Sequence, residues 1–270
     1  NTQKKNFMNG GEKKDERMDD SIRAGRPWII YMVLCTVILS IMFLAWVKPN
    51  IIQALFGLSV RRLRTFCLES RRKSFHLSGL CIPIIYFFGL RNGNLSQPVA
   101  AAALGVAFLT VLALDLLRLS SSKCQEFCNR HLHGLLRSHE HDELSGTVFY
   151  LGGALSSVYF FPPISAIAGL LCLTLGDLTA ALVGKAIGRI RIYGRKSLEG
   201  SVACFAVCTI VCAALFIHLP LWEYYVICAA STATLTELFS PLDDNLSIPV
   251  LTGLSLRLAE YRLAVPLVLP

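Results

Sequence analysis

Charge is scarce in this chain. Only 16% of its 270 residues are Asp, Glu, Lys or Arg, while 54% are hydrophobic. A soluble domain carries about a quarter charged residues, so a water-soluble globule is not the expected class. Other absences narrow the reading further. No Gly-x4-Gly-Lys-Ser/Thr stretch occurs, which excludes a P-loop. No internal repeat is visible, and charged residues gather near the ends of apolar runs, which counts against a transporter built from inverted repeats. The net charge of +8 comes without a basic helix or an aromatic platform, so nucleic acid is not an expected partner. No small-residue cleavage site follows Trp28 to Val47, so this first apolar run is expected to be retained. Cys124, Cys128, His131 and His133 fit no standard zinc spacing.

What the chain has in plenty is apolar runs near spanning length. Residues 1–27 form a polar tail with too few apolar side chains to fold alone. Candidate spans follow at 28–47, 75–90, 98–117, 147–161, 164–184, 200–219 and 221–239, those at 75–90 and 147–161 being short. Ile248 to Leu256, joined to the C-terminus, makes a further, Pro-interrupted helix. The expected fold is all-α: a polytopic integral membrane protein of about seven transmembrane helices, six to eight, in one domain over 28–270. Cys204, Cys208 and Cys212 recur every four residues, as a packing seam on one helix face would.

The loops separate by charge. Six of the 26 Lys and Arg lie in 61–73, four in 118–145 and five in 185–199, against Arg91 alone in the opposite turns. One crossing per run puts the three basic loops on one side, together with Pro241 to Ser247, and the positive-inside rule makes that side cytosolic. If 28–47 crosses once, the tail, itself basic, falls on the other side.

Four clusters reach the basic face. Arg71-Arg72-Lys73-Ser74-Phe75-His76 brings three cations suited to phosphate, with His76 just inside the apolar run as a base or a hydrogen-bonded structural residue. Asp115 ends a long span, either as a functional carboxylate or as the partner of Arg118 one turn on, and Ser145-Gly146-Thr147 opens the next span. Gly176-Asp177 leads through a small-residue face at Gly184 and Gly188, past Lys185, to Lys196-Ser197-Leu198-Glu199-Gly200-Ser201. Asp177, within an apolar helix, needs a cation or metal partner. Last, Glu237 precedes Asp243-Asp244-Asn245, hard oxygen ligands suited to Mg²⁺. Cations for phosphates, carboxylates for Mg²⁺ and a bilayer for an apolar acceptor suit phosphoryl transfer.

Arg72-Lys73-x-x-His76, Ser145-Gly146-Thr147, Gly176-Asp177 with Gly184 and Gly188, Lys196-Ser197-x-Glu199-Gly200-Ser201 and Asp243-Asp244-Asn245-Leu246-x-Ile248-Pro249 occur in that order. Over roughly 70–256 the chain resembles the family of dolichol kinase, phytol kinase and the CTP-dependent diacylglycerol kinase of yeast type. The resemblance implies transfer of a phosphate from CTP to a lipid hydroxyl. Diacylglycerol is the favoured acceptor; phytol and a polyprenol stay open. It places Arg72, Lys73, Asp177 and Gly184 in the family's CTP-transferase region. The expected catalytic set is Asp177, His76, Lys196 and Glu199. The nucleotide set is Arg72, Lys73, Gly184, Lys185, Ser197 and Gly200, and the metal set Asp243, Asp244, Asn245 and Glu237. The expected membrane is the endoplasmic reticulum in a eukaryote and the plasma membrane in a bacterium. A phosphatidate cytidylyltransferase shares the Gly-Asp…Gly…Lys-x-x-Glu-Gly-Ser stretch, but its Lys-Asp…Asp-Arg-x-Asp ending is absent.

Overall fold

The computed structural model describes residues 33, 36–37, 40–43, 48–57, 59–131 and 142–269. The 1–27 tail, most of the 28–47 run, His133 and the side chains of Arg71 and Arg72 lie outside what is described. Within it the chain is helical almost throughout. The helices are α1 Pro49–Phe56, α2 Val60–Leu77, α3 Cys81–Arg91, α4 Gln97–Ser120, α5 Ser122–His131, α6 Gly146–Phe160, α7 Pro163–Leu171, α8 Leu178–Ala186, α9 Leu198–Phe216, α10 Trp222–Phe239 and α11 Asp244–Leu263. A 3₁₀ turn, Ser78–Leu80, links α2 to α3, and a π-helical segment, Cys172–Asp177, links α7 to α8. Proline in the first turn starts α1, α4 and α7, where its missing N–H would have had no helical partner anyway.

Among the described residues, three helical runs are long and apolar enough to cross a bilayer: Gln97–Ser120, Pro163–Ala186 and Leu198–Phe216. They differ in what they face. An apolar 18-residue stretch of Pro163–Ala186 is 83% buried, against 17% for Gln97–Ser120. The first is therefore the central post of the bundle, enclosed by α6, α9, α10 and α11 and met by α2 at its α8 end. The second is an outer helix that rests on α6 and turns Val106, Leu109 and Leu114 outward, as a lipid-facing helix does. The expected spans at 75–90 and 147–161 form shorter helices, and the interrupted piece at the C-terminus is one helix with Pro249 inside it.

Small residues let α11 approach the post. A Cβ on Gly169 would come 2.7 Å from the carbonyl oxygen of Pro249, and one on Gly153 would come 3.0 Å from the Pro249 ring. Glycine removes those clashes, so α6 and α7 close on the proline from two sides. Pro249 lacks the N–H that would bond the Asn245 carbonyl, which loosens α11 one turn below its start.

Two features depart from a bundle of plain α-helices. The π segment widens the post just before Asp177, with the hydroxyls of Thr174 and Thr179 bonding back to the carbonyls of Leu170, Leu175 and Gly176. One residue inserted in a helix turns everything after it by about 100°, so this segment decides which way Asp177 points. Gly176 takes the sulfurs of Cys204 and Cys208 against its bare Cα, and Cys172 and Cys212 lie 3.5 Å apart, so the Cys204–Cys208–Cys212 seam packs on the π segment. The other departure is a small antiparallel hairpin, β1 Arg191–Tyr193 with β2 Lys196–Ser197, turning at Gly194 with φ +54°.

Candidate active site

Charged side chains from five elements meet around Asp177, where the π segment of the post passes into α8. Lys73 of α2 is bonded to the Asp177 carboxylate, both groups being almost fully enclosed. His76, one turn along α2, has Nε2 3.5 Å from the same carboxylate. Lys196 reaches in from β2, with Nζ 3.1 Å from Asp244 Oδ2 and 3.4 Å from Glu237 Oε1. Asp177, Glu237 and Asp244 each offer one oxygen, and these three oxygens lie within 4.8 Å of one another. Glu237 Oε2 is buried without a hydrogen-bond partner among the described residues.

Burial makes this arrangement consequential, since a buried charge is tolerated only with a partner. Glu237 is 6% exposed and Asp177 7%. At the rim, burial pushes the Asp244 carboxyl up to about 7, with the Asp177 carboxylate adding to the rise. Burial alone would lower the Lys196 ammonium, but Asp244 and Glu237 more than offset it and hold it charged above the ordinary lysine range.

The glycine- and hydroxyl-rich stretch around Lys196 holds its carrier hairpin. Ser197 caps α9 by accepting from the Gly200 N–H at 3.2 Å. Gly200 lies so close to α8 that a Cβ there would come 2.7 Å from the Ala180 carbonyl, and Gly184 and Gly188 leave room for the Ser197 side chain. The Glu199 carboxylate turns away from the acidic group and accepts from the backbone N–H of Arg189 at 2.8 Å, tying down the chain that enters the hairpin. Lys185 stands in the last turn of α8.

Of the expected metal set, Asp244 and Glu237 join the acidic group, and Asp177, expected as a catalytic residue, completes it. Asp243 lies outside that group. Its carboxylate accepts from the Asn245 N–H at 2.9 Å as the N-cap of α11, while the Asn245 side chain donates to the Gly146 carbonyl at 3.3 Å. Asp115 lies in a different place altogether. It accepts from Arg118 Nε at 2.7 Å and from the Ser145 N–H at 2.6 Å, and Arg118 also donates to the Glu143 carbonyl at 2.7 Å. This network fixes the start of α6 rather than entering the acidic group. Tyr150 was not singled out by the sequence: its hydroxyl donates to the Gly79 carbonyl at 2.6 Å, and its ring stands edge-on to His76. Its place one turn after Gly146 in the Ser-Gly-Thr helix was the available signal.

Three carboxylates and two ammonium groups thus meet among apolar helices, three of them long and apolar enough to cross a bilayer. The chain belongs to the CTP-dependent lipid kinase family. It is 32% identical over 206 residues to an uncharacterized protein of Rickettsia prowazekii, covering 73% of this chain and 97% of that one. It is 31% identical over 147 residues to the CTP-dependent diacylglycerol kinase 1 of Saccharomyces cerevisiae, covering 53% of this chain and 49% of that enzyme. The protein of the same name from Schizosaccharomyces pombe is 27% identical over 214 residues, 70% of this chain and 93% of that one. The chain thus spans about half of the S. cerevisiae relative and nearly all of the other two. No protein-family model and no solved structure matches it.

Proposed function

We propose that the chain transfers the γ-phosphate of CTP to the hydroxyl of a membrane lipid, with diacylglycerol, giving phosphatidate, as the favoured acceptor. In this reading the bundle crosses the bilayer about seven times with the Lys196 hairpin on the cytosolic side, where Arg189, Arg191 and Arg195 add exposed positive charge. The observation that carries it is the meeting of Asp177, Glu237 and Asp244 with Lys73 and Lys196 at one end of apolar helices. The diacylglycerol kinase names of the yeast relatives support the choice of acceptor.

The donor set fits Mg²⁺: three carboxylate oxygens in one small group, with a buried oxygen of Glu237 left over. Asp177, Glu237 and Asp244 would hold it. Bound there, Mg²⁺ supplies neutralisation of the polyphosphate charge. Lys196, with Arg72 and Lys185 on neighbouring elements, supplies the remaining positive charge for the phosphates. The lipid hydroxyl oxygen forms a bond to the γ-phosphorus while the bond from that phosphorus to the β,γ-bridging oxygen breaks, and CDP leaves. The hydroxyl proton passes to His76, whose ring lies against the Asp177 carboxylate. The apolar exterior of the helices keeps the acceptor's chains in lipid while its hydroxyl meets the rim.

Membranes carrying the protein, given γ-labelled CTP and Mg²⁺ with diacylglycerol, phytol or a polyprenol, test this directly. Labelled phosphatidate is the expected product. Absence of transfer from any nucleotide to all three acceptors overturns the proposal.

A further inference from the structure

The rim holds two ammonium groups, and they are held differently. The Lys73 side chain is 3% exposed and bonded to Asp177 from within α2. The Lys196 side chain is 29% exposed and reaches in from the hairpin on a flexible four-carbon stem. Its Nζ lies against Asp244 and Glu237, two of the three carboxylates whose oxygens cluster, and the third, Asp177, is near enough to favour its charge. A lysine therefore sits against two of the three carboxylates that a divalent cation would take. Glu237 Oε2, buried in the same group and without a hydrogen-bond partner among the described residues, is an acceptor that the ammonium does not satisfy.

We propose that Lys196 is a resident counter-cation, which holds the divalent-metal position in the nucleotide-free protein and yields it when metal and polyphosphate arrive together. The inference rests on the phosphotransfer reading above and adds an order of binding to it. Among the described residues the group sets three carboxylates against the two lysines. A divalent ion added to that group lies beside Lys196 at a separation of a few ångströms, where like charges in a partly buried setting repel strongly. Metal alone is therefore opposed by the lysine. Nucleotide alone brings its phosphates toward three carboxylates, whose ionised forms repel them. Metal and nucleotide together relieve both conflicts: the metal takes the carboxylates, and the phosphate oxygens take the Lys196 ammonium. Each then tightens the other by the same factor, as linkage requires.

The test uses the full chain in nanodiscs, Mn²⁺ as the metal probe followed by electron paramagnetic resonance, and CTP as the nucleotide. In the wild type, saturating CTP should tighten Mn²⁺ binding about tenfold or more. In Lys196→Met, Mn²⁺ without nucleotide should bind about tenfold more tightly than in the wild type, and CTP should add little. Lys196→Arg keeps a resident cation and should retain the weak nucleotide-free binding, which separates loss of charge from loss of fold. Nucleotide-free Mn²⁺ binding in Lys196→Met that is no tighter than in the wild type overturns the counter-cation role, even where the wild type transfers phosphate. A wild type that transfers phosphate to no lipid and binds no Mn²⁺ with CTP overturns the underlying reading as well.

Discussion

Asp115 and Asp177 are each 7% exposed and each bonded to a cation, yet their surroundings differ in kind. Asp115 meets one guanidinium and one backbone N–H, and that guanidinium also donates to a backbone carbonyl. Among the described residues one acid faces one base, and the bonds tie α4 to the entry of α6. Asp177 stands, among the described residues, with two further carboxylates and two lysines, in a group where Glu237 Oε2 has no hydrogen-bond partner. A balanced, fully bonded pair holds backbone in place. An unbalanced group has capacity left for a ligand. Burial alone does not separate the two cases; the count and sign of the neighbours does.

The sharpest way to break this contrast is to neutralise one acid from each group. Asp177→Asn and Asp244→Asn should each lower lipid phosphorylation by about a thousandfold; thermal unfolding should stay close to wild type in Asp244→Asn, whereas Asp177→Asn leaves Lys73 buried beside a neutral partner and should also lose stability. A smaller loss, within about tenfold, would take these carboxylates out of the chemistry. Asp115→Asn should do the reverse. It leaves Arg118 buried beside a neutral partner, and loss of about 3 kcal/mol of stability is expected. Thermal unfolding in detergent measures it, with turnover per folded molecule within about threefold of wild type. Glu199→Gln should have a weaker effect still, because an amide oxygen can still accept from the Arg189 N–H. A rise in the KM for CTP of about threefold is expected as the Lys196 hairpin loosens, and steady-state kinetics reads it. The smallest effect belongs to Asp243→Asn. Asparagine caps a helix about as well as aspartate, so activity should stay within about twofold. A large loss there would put Asp243 into the acidic group.

The sequence made the individual charges legible because ionisable residues inside or beside apolar runs are few. Asp177, Glu237 and Lys196 stand out on that ground alone, and Asp115 with Arg118 is readable as a pair one helical turn apart. Which charges meet was not legible. Asp243 and Asp244 are neighbours of the same type, and the start of α11 between them assigns one to capping and the other to the group. The π segment that aims Asp177 has no pattern of its own, since it depends on glycine and cysteine packing across to α9. Glu199 reads as chemical by its charge, but its carboxylate is taken up by the backbone ahead of the hairpin. The hairpin itself is too short for strand periodicity to show.

The ion pair between Lys73 and Asp177 joins residues 104 apart in the chain. Lys73 therefore leaves the ribosome long before its partner exists. At about 5–20 residues per second the delay is roughly 5–20 s, during which an ammonium group destined for burial has no Asp177 to pair with. The pair can close only once Asp177 has been made, and the acidic group is complete only after Glu237 and Asp244 have followed it. The group is thus assembled in the order of the chain: the Lys73 cation first, then Asp177, Lys196, Glu237 and Asp244.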